Sequence, residues 1–206
     1  HFTPEFTADR LGASTKAVTF ISDHYHRPDL KLPAGDLWVF GYGSVMWRPG
    51  FDHLEDRAGR LFGYHRALCV WSWVHRGTRD RPGLVLGLDV GGSCLGRAFR
   101  VAAAEKSAVA DYLYRRELVT PAYLACLLPV HLPDRVVSAL TFKANRRHRQ
   151  YAGKLPAQVA AATVRHARGS SGANPDYLAS TVRHLEELGI PDGPLHEVAA
   201  LVGIGP

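Results

Sequence analysis

The stretch LWVFGYGSVMW, residues 37–47, decides how this chain folds. Its apolar first part, 37–40, is typical of a buried strand. Glycines follow at positions 41 and 43. Because glycine tolerates backbone dihedral angles that other residues avoid, the turn can point successive N–H groups into one small concavity that binds negative charge. A tight turn without a ligand is the alternative that the spacing leaves open.

Further strands and helices are predicted beyond this stretch. Strand patterns cover 67–74, 84–90, 94–101, 123–128 and 135–142. Gly91-Gly92, between the second and third of these, predicts the turn of a β-hairpin. Helical spacing covers 104–116, 156–168, 174–188 and 196–201, with Glu117 closing the first helix and Asn174 capping the third. Because strands and helices do not alternate regularly, we expect an α+β domain.

The chain of 206 residues is 46% hydrophobic, which is enough for one substantial core. We expect a single domain over 37–206, preceded by an arm of residues 1–36 that lies over it and contains a short helix from Thr3-Pro4. Residues 143–155 are the only predicted loop that is long enough to act as a lid. A shorter loop is predicted at 169–172.

The net charge of +6 and the isoelectric point near 9.4 allow two kinds of partner, a nucleic acid or a smaller anionic substrate. The densest basic run is Arg146-Arg147-His148-Arg149, for which a solvated loop is the default and a phosphate or substrate contact the alternative. No nucleic-acid-binding motif accompanies the run. A basic nucleic-acid-binding module is therefore the remote alternative.

Cysteine usage and hydropathy indicate a cytoplasmic protein. Cys69, Cys94 and Cys126 are odd in number, far apart and free of CxxC spacing, which argues against a secreted disulfide framework. The longest strongly apolar stretch near the middle, 123–130, is far shorter than the roughly 20 residues of a membrane-spanning helix. Charged residues interrupt the visible start, so no signal peptide is expected there.

Several common cofactor and metal motifs are missing. The third glycine of a dinucleotide fingerprint would fall at Met46, and no Lys-Ser/Thr pair follows the turn as in a phosphate-binding P-loop. The eleven histidines include no HExxH pattern and no Cys/His ligand set. A G-x-S-x-G nucleophile elbow is absent as well. We therefore expect neither a cofactor nor a metal.

Glu117 is the candidate acid or base. It ends a helix whose inward face is apolar and aromatic, so both loss of hydration and the negative helix C-terminus should raise its pKa, while Arg115 or Arg116 would oppose the shift. A carboxyl group tuned in this way suits general acid/base catalysis. A surface Glu paired with a neighbouring Arg is the alternative.

The stretch 39–47 resembles the substrate loop of ChaC-type γ-glutamylcyclotransferases. Similar segments follow in the order of that family over roughly 37–190: Gly63-Tyr64-His65-Arg66, His75-Arg76-Gly77-Thr78, 82–86, 91–94, Arg115-Arg116-Glu117 and 171–178. Val45-Met46 departs slightly from the Leu that is usual there, and the family pattern does not explain the arm. The resemblance implies an α+β fold with a mixed sheet that curls toward a small barrel and is flanked by helices.

The resemblance also implies an activity, a carbon–nitrogen lyase that converts glutathione to 5-oxoproline and Cys-Gly without a cofactor. Glu117 would be its acid/base, and the loop Val39, Phe40, Gly41, Tyr42, Gly43 and Ser44 would hold the substrate. Tyr177 would bind substrate or orient Glu117, unless it is a core tyrosine with a satisfied hydroxyl. His75 and Arg76 are candidates for contacting the glycine carboxylate, with a solvated loop as the alternative. Other γ-glutamyl amino acids or amines are the alternative substrates.

Overall fold

The structure is a computed structural model that describes residues 27–205. Its elements in chain order are β1 (Leu37–Gly41), a 3-10 turn (Ser44–Met46), β2 (Glu55–Ser72), β3 (Gly83–Val101), α1 (Lys106–Glu117), β4 (Tyr123–His131), β5 (Val136–Ala144), α2 (Ala157–His166), β6 (Arg168–Gly169), β7 (Gly172–Ala173), α3 (Asn174–Glu187) and α4 (Gly193–Val202).

Strands β1 to β5 close a barrel in the order β1-β3-β2-β4-β5. All neighbouring pairs are antiparallel except β1 and β5, which run parallel, so the sheet is mixed. A parallel bridge between Leu88 and Lys143 links β3 to β5 as well. The predicted α+β fold with a barrel-like mixed sheet is confirmed.

The predicted β-hairpin turn at Gly91-Gly92 is wrong. Strand β3 runs straight through it and pairs with β2 over nearly its whole length. The register shifts here instead, because Phe62 pairs with Ser93 and Tyr64 pairs with Val90. Gly91 and Gly92 have φ values of 106° and 67°, and Gly63 on the opposite strand has 81°. An irregularity within a long ribbon and a tight turn both need glycine at positive φ, so the sequence pattern does not separate them.

Strand β1 separates two parts of the core, because successive side chains of a strand point to opposite faces. Leu37 and Val39 pack in the cluster beneath α1. Trp38 and Phe40 belong to the other cluster, which helices α2, α3 and α4 cover with apolar side chains such as Val164. The predicted helices are confirmed, with ends that differ by a few residues.

Helix α3 is fastened to β3 by Asn174. The residue is fully buried, and its side-chain amide donates to the carbonyl of Leu84 (2.8 Å) while its amide oxygen accepts from the Leu84 N–H (2.7 Å). Asn174 is already helical and Ala173 occupies the N-cap position, so the predicted capping role is wrong. The side chain reproduces the hydrogen bonding of a neighbouring strand instead.

The loop predicted as a lid is tied to the barrel. Gln150 exchanges hydrogen bonds with the backbone of Trp71, and Tyr151 forms a β-bridge with Val70. The Tyr151 hydroxyl donates to Asp89 (2.7 Å), and Arg146 contacts both of these side chains. The Arg146 side chain is nevertheless 57% exposed, and Arg147 and Arg149 are exposed as well, so the basic run lies in a solvated loop as predicted.

Residues 27–36 lie against the barrel. Leu30 and Leu32 pack on the α1 cluster, and Asp36 pairs with Arg100 at 2.7 Å. The predicted short helix at Thr3-Pro4 lies outside the described residues, as does most of the predicted arm, so the domain boundary at residue 36 stays a prediction. Within residues 27–205 no helix is long and apolar enough to cross a membrane.

Candidate active site

A cavity of about 90 Å³ opens at the end of the barrel where β1 and β5 finish and β4 begins. Main-chain and side-chain atoms of the glycine-rich turn form one wall, and Glu117 with two tyrosines forms another. The lining residues are Phe40, Gly41, Tyr42, Gly43, Ser44, Val45, Leu86, Glu117, Tyr123, Phe142 and Tyr177. The structure thus brings together most of the residues predicted from the sequence.

Three of the predicted residues do not line the cavity. Val39 is buried in the α1 cluster, because the alternation of β1 turns its side chain away. His75 is exposed and hydrogen-bonds Ser171 at 3.0 Å. The guanidinium of Arg76 lies over the ring of Tyr177, 5.4 Å from its centroid, and so stands behind a lining residue.

The glycine-rich turn folds back on itself at Gly41. A Cβ there would stand 3.1 Å from Val45 Cγ1 and 3.2 Å from the Met46 nitrogen, so only glycine fits without displacing the turn. The Met46 N–H donates to the Gly43 carbonyl and closes the 3-10 turn. Within residues 27–205 the N–H groups of Gly43, Ser44 and Val45 donate to no backbone acceptor. All three N–H groups belong to residues that line the cavity.

Glu117 stands at the C-terminal end of α1. Its side chain is 23% exposed because it faces the cavity, yet protein surrounds it, and this burial raises the pKa of the carboxyl group. Arg116 opposes the shift, since its Nε lies 3.0 Å from Glu117 Oε1. The predicted direction is confirmed. A carboxyl group whose pKa is raised by burial and lowered by a neighbouring guanidinium is suited to taking up and returning a proton.

Arg116 also connects the carboxyl group to the glycine-rich turn. Its Nη2 donates to Ser44 Oγ (2.8 Å), and its Nη1 donates to the carbonyls of Arg48 and Pro49. The guanidinium is therefore held by several acceptors and in turn holds Glu117 Oε1. Through these contacts Arg116 bridges the glycine-rich turn and the Glu117 carboxyl group.

Two tyrosine hydroxyls meet at the backbone of Leu86. Tyr123 donates to its carbonyl (2.7 Å), and Tyr177 accepts from its N–H (3.1 Å). Burial raises the pKa of Tyr177 to about 12, so the hydroxyl keeps its proton and can donate it to a ligand in the cavity. Burial likewise raises the pKa of Tyr42 and of Tyr123, and the Glu117 carboxylate adds to both shifts.

Sequence reasoning missed Val45, which directly follows the predicted substrate loop. It also missed three residues of the barrel strands, namely Leu86, Tyr123 and Phe142. Each lies in a predicted strand or at its first residue, and nothing in the local pattern distinguishes these side chains from ordinary core residues. They reach the cavity only because the barrel closes. Among residues 27–205 no group of three His, Cys, Asp or Glu side chains is placed to hold a metal ion.

Comparisons with known proteins give one consistent result. The family described as ChaC-like protein matches residues 37–204. The glutathione-specific γ-glutamylcyclotransferase of Escherichia coli (strain K12) is 35% identical over 191 residues, which are 92% of this chain and 81% of the relative. Glutathione-specific γ-glutamylcyclotransferase 1 of Homo sapiens is 32% identical over 185 residues, covering 85% of this chain and 83% of the relative.

Among solved structures, a yeast γ-glutamyl cyclotransferase specific to glutathione superimposes with a TM-score of 0.74 at 20% identity. The match covers 82% of this chain and 96% of the yeast chain. At that identity the likeness concerns the fold.

Proposed function

This chain belongs to the ChaC-like protein family, and we propose from that premise that it is a γ-glutamylcyclotransferase that converts glutathione to 5-oxoproline and Cys-Gly. The observation that carries the proposal is the cavity itself. Glu117, with its raised pKa, shares a space of about 90 Å³ with the unpaired amides of Gly43, Ser44 and Val45. That combination provides a proton carrier beside an anion-binding wall.

The reaction is a cyclisation in which water takes no part. The α-amine nitrogen of the glutamyl group bonds to its own γ-carbonyl carbon, and the bond from that carbon to the cysteinyl nitrogen breaks. Because the nucleophile is tethered, holding the chain in a near-attack shape can contribute about 7–11 kcal/mol to lowering the barrier. A cavity of about 90 Å³ suits this requirement, since so small a space restricts the glutamyl chain to folded conformers.

Glu117 carries the protons. The α-amine is largely protonated at neutral pH, so a base must remove a proton before attack. Two protons leave that nitrogen in all, and two arrive on the cysteinyl nitrogen, which departs as an ammonium group. The carboxylate balances the reaction by making this transfer twice: each time it accepts one proton from the amine nitrogen and returns it to the leaving nitrogen. The loss of hydration that raises its pKa makes it a stronger base for this step.

The amides of the glycine-rich turn are proposed to bind the glutamyl carboxylate or the oxyanion that develops on the γ-carbonyl oxygen. Tyr177 is proposed to donate its hydroxyl proton to the substrate, since its oxygen already accepts from Leu86. Arg116 orients Glu117 without reaching the cavity wall.

Arg76 is proposed to recognise the glycine carboxylate of glutathione. Its guanidinium stacks on the ring of Tyr177 beside the cavity, and no carboxylate of residues 27–205 forms an ion pair with it. Its one hydrogen bond, to the Ala173 carbonyl, is long at 3.4 Å. A cation that is partly shielded and lacks a carboxylate partner favours an anionic group of the ligand. His75, bound to Ser171, would at most contribute to this rim.

A cytoplasmic location is proposed as well. Cys69, Cys94 and Cys126 are all free thiols, as expected of a protein in a reducing compartment, where glutathione is also abundant.

The first experiment compares the wild type with Glu117→Gln and with Glu105→Gln by 5-oxoproline release from glutathione. Glu105 is the N-cap residue of the same helix and is exposed, so it is a matched control. Glu117→Gln preserves shape but cannot carry a proton, and we expect a loss of about 10²–10⁴-fold in kcat. Glu105→Gln should retain full activity. Near-wild-type turnover by Glu117→Gln would remove the carboxyl group from the mechanism.

The substrate is tested with Arg76→Ala and, as a control, with Arg79→Ala, whose guanidinium stacks on Trp73 in the same manner away from the cavity lining. The panel is glutathione, γ-glutamylcysteine and γ-glutamyl-alanine. Loss of a charge-assisted hydrogen bond should lower kcat/KM for glutathione by roughly 10–100-fold in Arg76→Ala alone. The two dipeptides lack the distal glycine and should be affected little. Equal wild-type rates on all three substrates would favour a general γ-glutamyl substrate class.

A further inference from the structure

A buried ion pair lies directly behind the glycine-rich turn. Arg66 of β2 and Asp192, the residue before α4, are joined at 2.9 Å, and their side chains are only 3% and 9% exposed. Burying two charges is costly unless additional hydrogen bonds satisfy them. Asp192 also accepts from the Leu195 N–H and so starts α4. Other donors of Arg66 go to the carbonyls of Tyr42 and Leu95 and to the sulfur of Met46.

The bond from Arg66 to Tyr42 settles the orientation of one peptide group. Arg66 Nε donates to the Tyr42 carbonyl at 2.5 Å, and Arg66 is not among the residues that line the cavity. The peptide between Tyr42 and Gly43 is planar and trans, so its N–H points opposite to its carbonyl. With the carbonyl held toward Arg66, the Gly43 N–H is directed to the other side, where Gly43 lines the cavity.

The orientation of the peptide between Tyr42 and Gly43 has to be held by a contact, because a peptide that precedes glycine rotates easily. Gly43 has no Cβ to resist rotation of the preceding peptide group. A flipped peptide would present the Tyr42 carbonyl to the cavity, and its partial negative charge would repel an anionic ligand. The planar guanidinium of Arg66 can donate to the Tyr42 carbonyl, the Leu95 carbonyl and the Asp192 carboxylate at the same time. The single ammonium group of a lysine cannot reproduce that geometry.

We propose that Arg66 is a positioning residue that aims the Gly43 N–H at the anionic oxygen of the bound glutamyl group, and that Asp192 holds Arg66 in place. The inference rests on the proposed function, because it concerns how the same cavity binds its substrate. The proposal also gives the C-terminal region, through Asp192, a function in positioning the glycine-rich turn. The start of α4 supports the turn across the molecule without touching the substrate.

The kinetic experiment uses Arg66→Lys and Asp192→Asn, with Arg57→Lys as the control. Arg57 lies on the same strand and forms an ion pair with Asp134, but the pair is exposed and remote from the cavity lining. A misdirected amide should lower kcat/KM in Arg66→Lys by on the order of 10²-fold. Asp192→Asn should show a smaller loss, since its amide oxygen can still accept from Arg66. Arg57→Lys should stay within about 2-fold of the wild type.

A purely structural role would lower the unfolding temperature yet leave the kcat and KM of the folded fraction unchanged. Both parameters are therefore measured per folded molecule, well below the unfolding temperature of each variant. Wild-type kcat/KM in folded Arg66→Lys would overturn the proposal.

A second measurement avoids substitution altogether. The reaction product 5-oxoproline is titrated into isotope-labelled wild-type protein, and the Gly43 amide resonance is followed by NMR. We expect a downfield shift of this proton on binding, because it gains an anionic acceptor. Shifts at Ser44 and Val45 without one at Gly43 would overturn the inference. Failure of the proposed function looks different, since the wild type would then neither release 5-oxoproline from glutathione nor respond to it.

Discussion

Replacing Asn174 by alanine should destabilise the protein strongly, because two buried backbone groups lose their hydrogen-bond partners. The side chain is fully buried and satisfies both the N–H and the carbonyl of Leu84, at 2.7 and 2.8 Å. In Asn174→Ala both backbone groups stay buried without partners. Each unsatisfied group costs about 1–3 kcal/mol, so the free energy of unfolding should fall by roughly 2–6 kcal/mol.

Close packing around the Asn174 amide favours the upper half of this range for the loss in free energy of unfolding, roughly 4–6 kcal/mol. A Cβ on Gly83 would stand only 2.7 Å from Asn174 Oδ1, so the strand and the helix are in close contact here. Asn174→Ala removes the atoms that make this close contact, so a cavity adds to the cost of the two unpaired backbone groups. For a domain of this size, 1 kcal/mol corresponds to about 2–4 °C, so a loss of roughly 4–6 kcal/mol should lower the unfolding temperature by roughly 8–24 °C.

The assay is urea unfolding followed by far-UV circular dichroism, together with 5-oxoproline release at a temperature where the variant is folded. Asn145→Ala is the control, because that amide is less buried and one of its contacts, to the Pro121 carbonyl, lies at the surface. Asn145→Ala should lower the free energy of unfolding by less than about 1 kcal/mol. Tyr177 lies one helical turn beyond Asn174, so activity should fall with stability. An Asn174→Ala variant within about 1 kcal/mol of the wild type would refute the reasoning.

Three further outcomes are expected. Burial raises the pKa of Glu117 above its unfolded value, so the protonated form stabilises the fold at low pH and that stability is lost as pH rises through the folded pKa. Glu117→Gln should therefore unfold at an equal or higher temperature than the wild type at neutral pH, with a difference that vanishes in acid; a large loss of stability at neutral pH would contradict this. Tyr177→Phe should lower kcat/KM about 10–100-fold through the lost donor, whereas Tyr123→Phe, whose proton is already given to Leu86, should lose less; equal losses in steady-state assays would argue against a substrate contact by Tyr177. Burial raises the pKa of the Cys69 thiol to about 12, so iodoacetamide should leave it unmodified in the native protein, which mass spectrometry of the digested protein would detect.

Local chemistry in the sequence was sufficient for the predictions about Glu117 and the glycine-rich turn. A glycine at position 41 is required because the 3-10 turn folds back within 3.2 Å of it, and this is a relation between residues five or fewer apart. The position of Glu117 at a helix end, on an apolar face, follows from spacing along one helix. Its raised pKa could be anticipated for the same reason.

The long ribbon of β2 and β3 shows where local reasoning fails. The first part of β2, from Glu55 onward, carries charged and exposed residues that show little of a buried strand's pattern. It becomes a strand because β3 pairs with it on one side and β4 on the other. Gly91-Gly92 was taken for a turn because positive φ values serve a turn and a register shift equally well.

The sequence by itself determined the chemical groups of this protein, namely a carboxyl group at a helix end, a turn rich in glycine and a tyrosine near the start of α3. Only the tertiary structure decided that these groups share one cavity, that Leu86 and Tyr123 complete it, and that Arg66 controls the orientation of a peptide at its wall. The physical reason is distance along the chain. Glycine conformation and helix-end electrostatics act over a few residues, whereas barrel closure and the Arg66–Asp192 pair join segments more than a hundred residues apart, and no local pattern encodes their meeting.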